Sequence, residues 1–323
     1  MLNQFSRAAR SVVHRALRVP GVGAAFCGLT SRVGLKFLTR WAARHTTYNP
    51  PAITFDVADA DGLTSRGTML SSGGRDQIVR SIWLNGLDSY EAPLPKLFMR
   101  LVQGADAIFD VGANSGLYAI LAALTDKRCR IFSFEPFPDV LNSLRANIAA
   151  NQLTERVTVV AAALGDTPGE TNLFIPEKAY GDALETSASL VKEFRKSHSE
   201  VLKVQVLKID DFVVQNNITN VSLIRAEVEG AEHLVMQGAT NVLQQHRPYV
   251  FVEVLADISA TYLERSRAKA GYRAMYIGEN TLTPEKEVKC MPRSPNHLWY
   301  PPERHTALMQ AAAECGIQVI GDA

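Results

Sequence analysis

The 323-residue chain has no run of 18 or more apolar residues, so no segment is long enough to span a bilayer as a helix. Cysteine is scarce. Cys27, Cys129, Cys290 and Cys315 form no CxxC pair and have no histidine at ligand spacing. That excludes a zinc knuckle or a disulfide frame and points to reduced thiols in a reducing compartment. Net charge is nearly missing too. Thirty-four basic against 33 acidic residues leave +1, with no global field to recruit nucleic acid. Internal repeats and low-complexity tracts are absent. A composition of 46% hydrophobic and 21% charged residues excludes a disordered or fibrous chain.

Acid is absent from the first 55 residues, and this absence divides the chain. The head carries Arg7, Arg10, Arg15, Arg18, Arg32, Lys36, Arg40 and Arg44, and the first acid is Asp56. The remainder holds 26 basic against 33 acidic residues and is therefore −7. Apolar residues at helical spacing from Phe5 to Ala16 and from Val33 to Arg44 predict two amphipathic helices within a basic extension of residues 1–50. Three readings stay open: a helical pair on an anionic membrane surface, a cap on the main domain or a partner, and an organelle transit peptide. Val19 to Leu29 is diluted by Pro20 and three glycines and does not read as a secretory signal. The expectation is a cytoplasmic protein with peripheral membrane or partner contact through the head.

Residues 51–323 alternate strand and helix patterns. Thr64–Leu70 reads as a strand, Gln77–Leu84 and Lys96–Val102 as helices, and Ala107–Val111 as a short buried strand. A helix from Leu117 to Leu124 follows, then strand Cys129–Glu135, helix Val140–Ala150, strand Val157–Ala162 and strand Ser222–Glu227. One helix is expected over Glu232–Leu243, a strand over Tyr249–Val254, and an apolar edge strand over Asn296–Tyr300. Such alternation predicts βαβ units in an α/β, doubly wound, mostly parallel sheet whose ligands bind at the strands' carboxyl ends. Residues 169–210 break the pattern, with strands at Gly169–Pro176 and Lys203–Ile209. They read as an insertion, a hairpin or lid.

The chemistry begins at Asp110-Val111-Gly112-Ala113-Asn114-Ser115-Gly116, where an acid ends a strand and two glycines bracket the turn into a helix. Gly112 would let backbone approach a ligand, and Gly116 would let the helix pack near the strand. Nineteen residues past Gly116, Glu135 closes the next strand, where a carboxylate can accept from both ribose hydroxyls. A nicotinamide dinucleotide needs GxGxxG aimed at a pyrophosphate. Here the spacing is GxxxG, and Asp110 would repel phosphate yet suit a cationic amino acid head. This favours S-adenosylmethionine over NAD. Asp166, after the third strand, is placed to accept from an adenine amino group, or is a turn residue.

With Phe109 to Gly116, Phe134-Glu135-Pro136, Ala163-Leu164-Gly165-Asp166, Leu207 to Asp211 and Ile224 to Glu232 in this order, the chain resembles the FkbM family of S-adenosylmethionine-dependent methyltransferases over about residues 85–255. The resemblance implies a seven-stranded, class I methyltransferase-like sheet and O-methylation of a sugar or polyketide hydroxyl. It assigns Asp110, Gly112 and Gly116 to the cofactor's methionine part, Glu135 to its ribose and Asp166 to its adenine, with Asn114 also a cofactor-binding residue. Arg225 and Glu227 stand where the family usually has lysine and aspartate. An alcohol needs its proton removed, so a rim carboxylate is expected. Glu227 is the first candidate and Glu229 the second, with stabilisation of the following helix as the other role for Glu229. Glu253 is a further rim carboxylate. No metal ligand set is evident. The expected acceptor is a sugar, glycan or glycosylated metabolite. The competing reading is a non-catalytic cofactor-binding scaffold of a glycan-assembly complex.

Overall fold

The computed structural model describes residues 50–177, 186–255, 257–291 and 294–321, with Val22, Ala25, Phe26, Leu29 and Thr30 of the head. The two helices expected in the head lie outside the described residues. Strands β1 (Ala52–Ala58) and β2 (Thr64–Leu70) form an antiparallel hairpin, its turn held by Asp59 Oδ1 accepting from Asp61 N and Leu63 N. Helix α1 (Gln77–Asn85) is capped by Asp76, whose carboxylate accepts from Ile78 N and Val79 N, and α2 (Leu94–Val102) opens on a proline.

The alternation then proceeds as β3 (Ala107–Val111), α3 (Leu117–Thr125), β4 (Arg130–Phe134), α4 (Pro138–Ala150) and β5 (Val157–Val160). Strands β6 (Ala163–Leu164), β7 (Gly169–Pro176) and β8 (His198–Leu207) make a separate three-stranded sheet in which β7 and β8 pair antiparallel. Next come α5 (Ile209–Gln215), β9 (Leu223–Ala226), α6 (Glu232–Gln237), α7 (Thr240–Gln245) and β10 (Tyr249–Glu253). The chain closes with α8 (Asp257–Ala270), β11 (Arg273–Gly278), β12 (Thr281–Glu285), β13 (Asn296–Tyr300), α9 (His305–Glu314) and β14 (Gln318–Val319).

The main sheet runs β14-β12-β11-β13-β10-β9-β3-β4-β5. Its five strands from β10 to β5 are parallel, and β13 runs antiparallel to both its neighbours. Every residue of β3 is buried, as expected for a parallel strand covered on both faces. Ile108, Ile131, Leu223, Phe251 and Leu298 form one apolar layer with α2, α3, α4 and α9. Phe109, Phe132 and Phe134 face the other way, against Phe212 of α5, with ring centroids 5.0–5.8 Å apart.

Four expectations are corrected. The sheet has nine strands rather than seven, because β12 and β14 cover the outer edge that β11 would otherwise expose. Asn296–Tyr300 is an inner strand between β10 and β11, not an edge. Ile209 opens a helix instead of ending a strand, and Asp210 and Asp211 suit that helix's first turn. The single helix expected over Glu232–Leu243 is two. At Gly238 an added Cβ would lie 2.1 Å from the Gly165 carbonyl oxygen, and the Asp210 carboxylate accepts from Asn241 N and Val242 N, starting α7 anew.

Candidate active site

The turn after β3 is drawn between the tips of two neighbours. Gly112 N and Ala113 N both donate to the Phe134 carbonyl at 3.0 Å, while Gly112 (φ 73°) lies against the end of β9. A Cβ on Gly112 would sit 1.9 Å from the Glu227 carbonyl oxygen, so glycine is demanded by the protein's own backbone. At Gly116 (φ 95°) the close neighbour is Leu144 of α4, 2.6 Å from a built Cβ. The close packing at Gly116 is thus between α3 and α4, not between helix and strand as expected.

Glu135 fastens this turn. Its Oε2 accepts from Asn114 N at 3.1 Å and its Oε1 from Phe137 N at 2.9 Å. Burial raises its carboxyl to about 7, against the lowering effect of those two amides. Above it opens a cavity of about 280 Å³, lined among others by Gly112, Asn114, Glu135, Tyr90, Tyr118, Arg225, Glu227 and Glu229.

Arg225 sits at the centre of a buried charge cluster. Its guanidinium bonds Asp110 Oδ1 at 3.2 Å, pairs with Glu227 Oε2, and lies 3.9 Å from the ring centroid of Tyr118. Tyr118 in turn donates to Glu91 Oε2 at 2.7 Å. Asp110 is 1% exposed, and its Oδ2 has no hydrogen-bond partner. Burial raises Asp110, with Arg225 opposing. Burial also raises Glu227 to about 7 in spite of Arg225, helped by the nearby charges of Glu91 and Glu232. The phenols of Tyr90 and Tyr118 are pushed up as well, first by burial and then by Glu91, so both remain hydrogen-bond donors.

The strand register sets the rim. Val111, Ala226 and Val252 are partners across β3, β9 and β10, so Gly112, Glu227 and Glu253 stand abreast one residue further on, and Glu253 pairs with Asn296 of β13. Burial together with Glu227, Glu232 and Glu229 raises Glu253 to about 9.

Five sequence-predicted site residues share the cavity: Gly112, Asn114, Glu135, Glu227 and Glu229. Asp110 and Gly116 are not in its lining, and Asp110 turns its charge to Arg225. Asp166 is exposed and is also outside the lining. Glu232, in the first turn of α6, accepts at Oε1 from Val228 N and Gly230 N of the loop before the helix. Glu229 instead lies 3.7 Å from Arg195, and its carbonyl accepts from Ser189 Oγ at 2.7 Å. His233 and His246 do not line the cavity, and among the described residues no cluster of three or more His, Cys, Asp or Glu is arranged to hold a metal ion. Tyr90, Glu91, Tyr118 and Glu232 escaped the sequence reading. Tyr118 falls on a helix whose apolar spacing reads as core, and Tyr90-Glu91 lie in an unpatterned connection.

The family model described as Methyltransferase FkbM domain matches residues 110–274, slightly more than half of the chain. Hexuronic acid methyltransferase AglP of Haloferax volcanii is 24% identical over 203 residues, covering 62% of this chain and 75% of that one. The 31-O-demethyl-FK506 methyltransferase FkbM of Streptomyces tacrolimicus is 24% identical over 155 residues, 41% of this chain and 59% of the relative. The 2-O-methyltransferase NoeI of Sinorhizobium fredii is 27% identical over 155 residues, 45% and 62%. The chain thus spans under two thirds of the length of the last two. The crystal structure of methyltransferase FkbM from Methylobacillus flagellatus overlays with a TM-score of 0.42 at 17% identity, covering 71% of this chain and 54% of that one, too loosely to argue from.

Proposed function

Because the chain belongs to the FkbM methyltransferase family, whose methyl donor is S-adenosylmethionine, we propose that it O-methylates a hydroxyl of a sugar, glycan or glycosylated metabolite. The single observation that carries this reading is that Glu135 and Glu227 face one cavity from either side of the Gly112 turn.

The residues present fit the donor. Each Glu135 oxygen already receives one backbone N–H and keeps a lone pair for a ribose hydroxyl. The carboxylates of Glu135, Glu227 and Glu229 in the cavity lining suit a ligand bearing positive charge. Gly112 and Asn114 would border its amino acid part. When bound, the donor supplies a methyl group activated by a sulfonium. The chain's own task is to orient the acceptor and remove its proton. Arg225, fixed by Asp110 and Tyr118, holds Glu227 Oε2, which leaves Oε1 to accept a hydrogen bond from the acceptor hydroxyl and then its proton. Glu229 is the second candidate for that contact. Sugar hydroxyls are favoured by the names of two relatives, a hexuronic acid methyltransferase and a 2-O-methyltransferase.

Calorimetric titration with S-adenosylmethionine, with NAD as control, tests the donor. Tritium transfer from labelled donor to a glycan extract tests the reaction. Glu227→Gln is expected to cut kcat about 100-fold or more while donor affinity changes only a few-fold. Heat evolved with NAD but not with S-adenosylmethionine would refute the reading.

A further inference from the structure

The contacts behind Glu227 do not stop at Arg225. The guanidinium reaches Asp110 Oδ1 with one nitrogen and Glu227 Oε2 with another. Those two contacts leave it free to tilt about the line between them. The Tyr118 ring stops that tilt, with the guanidinium carbon 3.9 Å from the ring centroid. Tyr118 is itself held from two sides. Phe98 of α2 meets the ring edge-on, with centroids 5.0 Å apart and planes at 82°, and the hydroxyl donates to Glu91 Oε2 at 2.7 Å. Tyr118 is 4% exposed, so its hydroxyl needs such a partner. Glu91 is marked out in its own right. Its φ is 48°, a left-handed backbone that a residue with a long side chain seldom adopts and glycine adopts freely. It lies in the connection leading into α2, ahead of residue 110 where the family match begins. After burial itself, the Glu91 carboxylate is what pushes up the Tyr90 and Tyr118 phenols, so Tyr118 stays the donor.

Resting on the methyl-transfer reading with Glu227 as proton acceptor, we infer that Glu91 is a positioning residue of this site. By anchoring the Tyr118 hydroxyl it sets the ring on which the Arg225 guanidinium lies, and thereby the direction in which Glu227 presents Oε1 to the acceptor hydroxyl. Without the anchor the ring is free to shift, the guanidinium loses its floor, and Glu227 spends part of its time turned away. A misplacement of about 1 Å at a reacting group can cost roughly 100-fold in rate. Glu91 does not line the cavity, whereas Tyr118, Arg225 and Glu227 do. Its removal therefore falls on turnover and spares the binding of donor and acceptor. The left-handed backbone at Glu91 is kept, on this account, because a glycine there would relieve the chain and lose the anchor.

The test uses the full chain, S-adenosylmethionine labelled with tritium in the methyl group, and the glycan extract as acceptor. The rate at saturating extract stands for kcat, the extract dilution giving half that rate stands for KM, and calorimetry gives donor affinity. Glu91→Ala and Tyr118→Phe should each lower kcat about 10-fold or more, with KM and donor affinity within about 3-fold of wild type. The double variant should be no slower than either single one, because both cut the same link. Glu91→Gln keeps an oxygen to accept from Tyr118 and should retain at least about a third of the wild-type kcat. Wild-type kcat in Glu91→Ala or Tyr118→Phe, losses that multiply in the double variant, or no rescue by Glu91→Gln would overturn the role of Glu91. Methyl transfer would stand in that case as long as Glu227→Gln is slow. Should Glu91→Ala fail to fold, Tyr118→Phe, which keeps the ring, decides alone: an unchanged kcat overturns the role. Glu227→Gln turning over at the wild-type rate refutes the underlying reading, and the role of Glu91 falls with it.

Discussion

Arg225 is the residue on which the buried charges depend. It answers both Asp110 and Glu227 from a site where its side chain is 9% exposed. Arg225→Met would leave two carboxylates without a counter-charge, and we expect a loss of about 3–5 kcal/mol in denaturant unfolding. Arg225→Lys keeps the charge but loses the two-pronged fork and should fall between. The raised carboxyls make a second prediction. Glu135, Glu227 and Glu232 are lifted to about 7 in the fold from an ordinary 4.5. The unfolded chain therefore binds fewer protons between pH 4.5 and 7, and stability from these groups is full below 4.5 and lost as pH rises through 7. Melting temperature should decline between pH 5 and 8, and Glu232→Gln should flatten that decline. An unchanged slope would show that Glu232 is not held protonated by burial. Sequence made Glu135, Arg225 and Glu227 visible because each stands at or beside a strand tip. It hid Glu232, since an acid opening a helix looks like solvated surface until Val228 and Gly230 are seen donating to it.

At the scale of elements, the β1–β2 hairpin is bound to the Rossmann-like core through α4. The fully buried Asn147 accepts from Leu70 N at 2.7 Å and donates to the Ser115 carbonyl at 2.8 Å, while Asn151 bonds Thr68 N and Thr68 O. Asn147→Ala would orphan one group on β2 and one in the turn after β3, for a cost of about 2–4 kcal/mol, to be read from urea midpoints. Donor affinity should weaken with it, because that turn carries Asn114. The strand-turn-helix run from Ala107 to Thr125 was legible nearly to the residue, since a short apolar run, a glycine turn and a helical period leave little choice. The break at Gly238 was not, because its causes, Gly165 and Asp210, lie 73 and 28 residues away in sequence. Likewise β13 looks like an edge strand in sequence, since nothing local shows that β11 crosses back beyond it.

For the molecule as a whole, no helix among the described residues is long and apolar enough to cross a membrane, which leaves the acid-free head as the feature to test. Val22, Phe26 and Leu29, at helical spacing, are 47%, 36% and 63% exposed. A chain beginning at residue 51 is expected to bind donor as the full chain does and to lose sedimentation with anionic liposomes. Equal sedimentation would rule out surface association. The segment after β7 has a different kind of reach. Ser189 and Arg195 contact Glu229, and the Phe194 ring lies 2.8 Å from where a Gly230 side chain would begin. Anyone recombining this enzyme with a relative to alter its preferences must therefore treat residues 186–195 and 227–232 as one cassette. Exchanged singly, either half would arrive with its mate missing, and the new preference would be bought with displaced rim carboxylates.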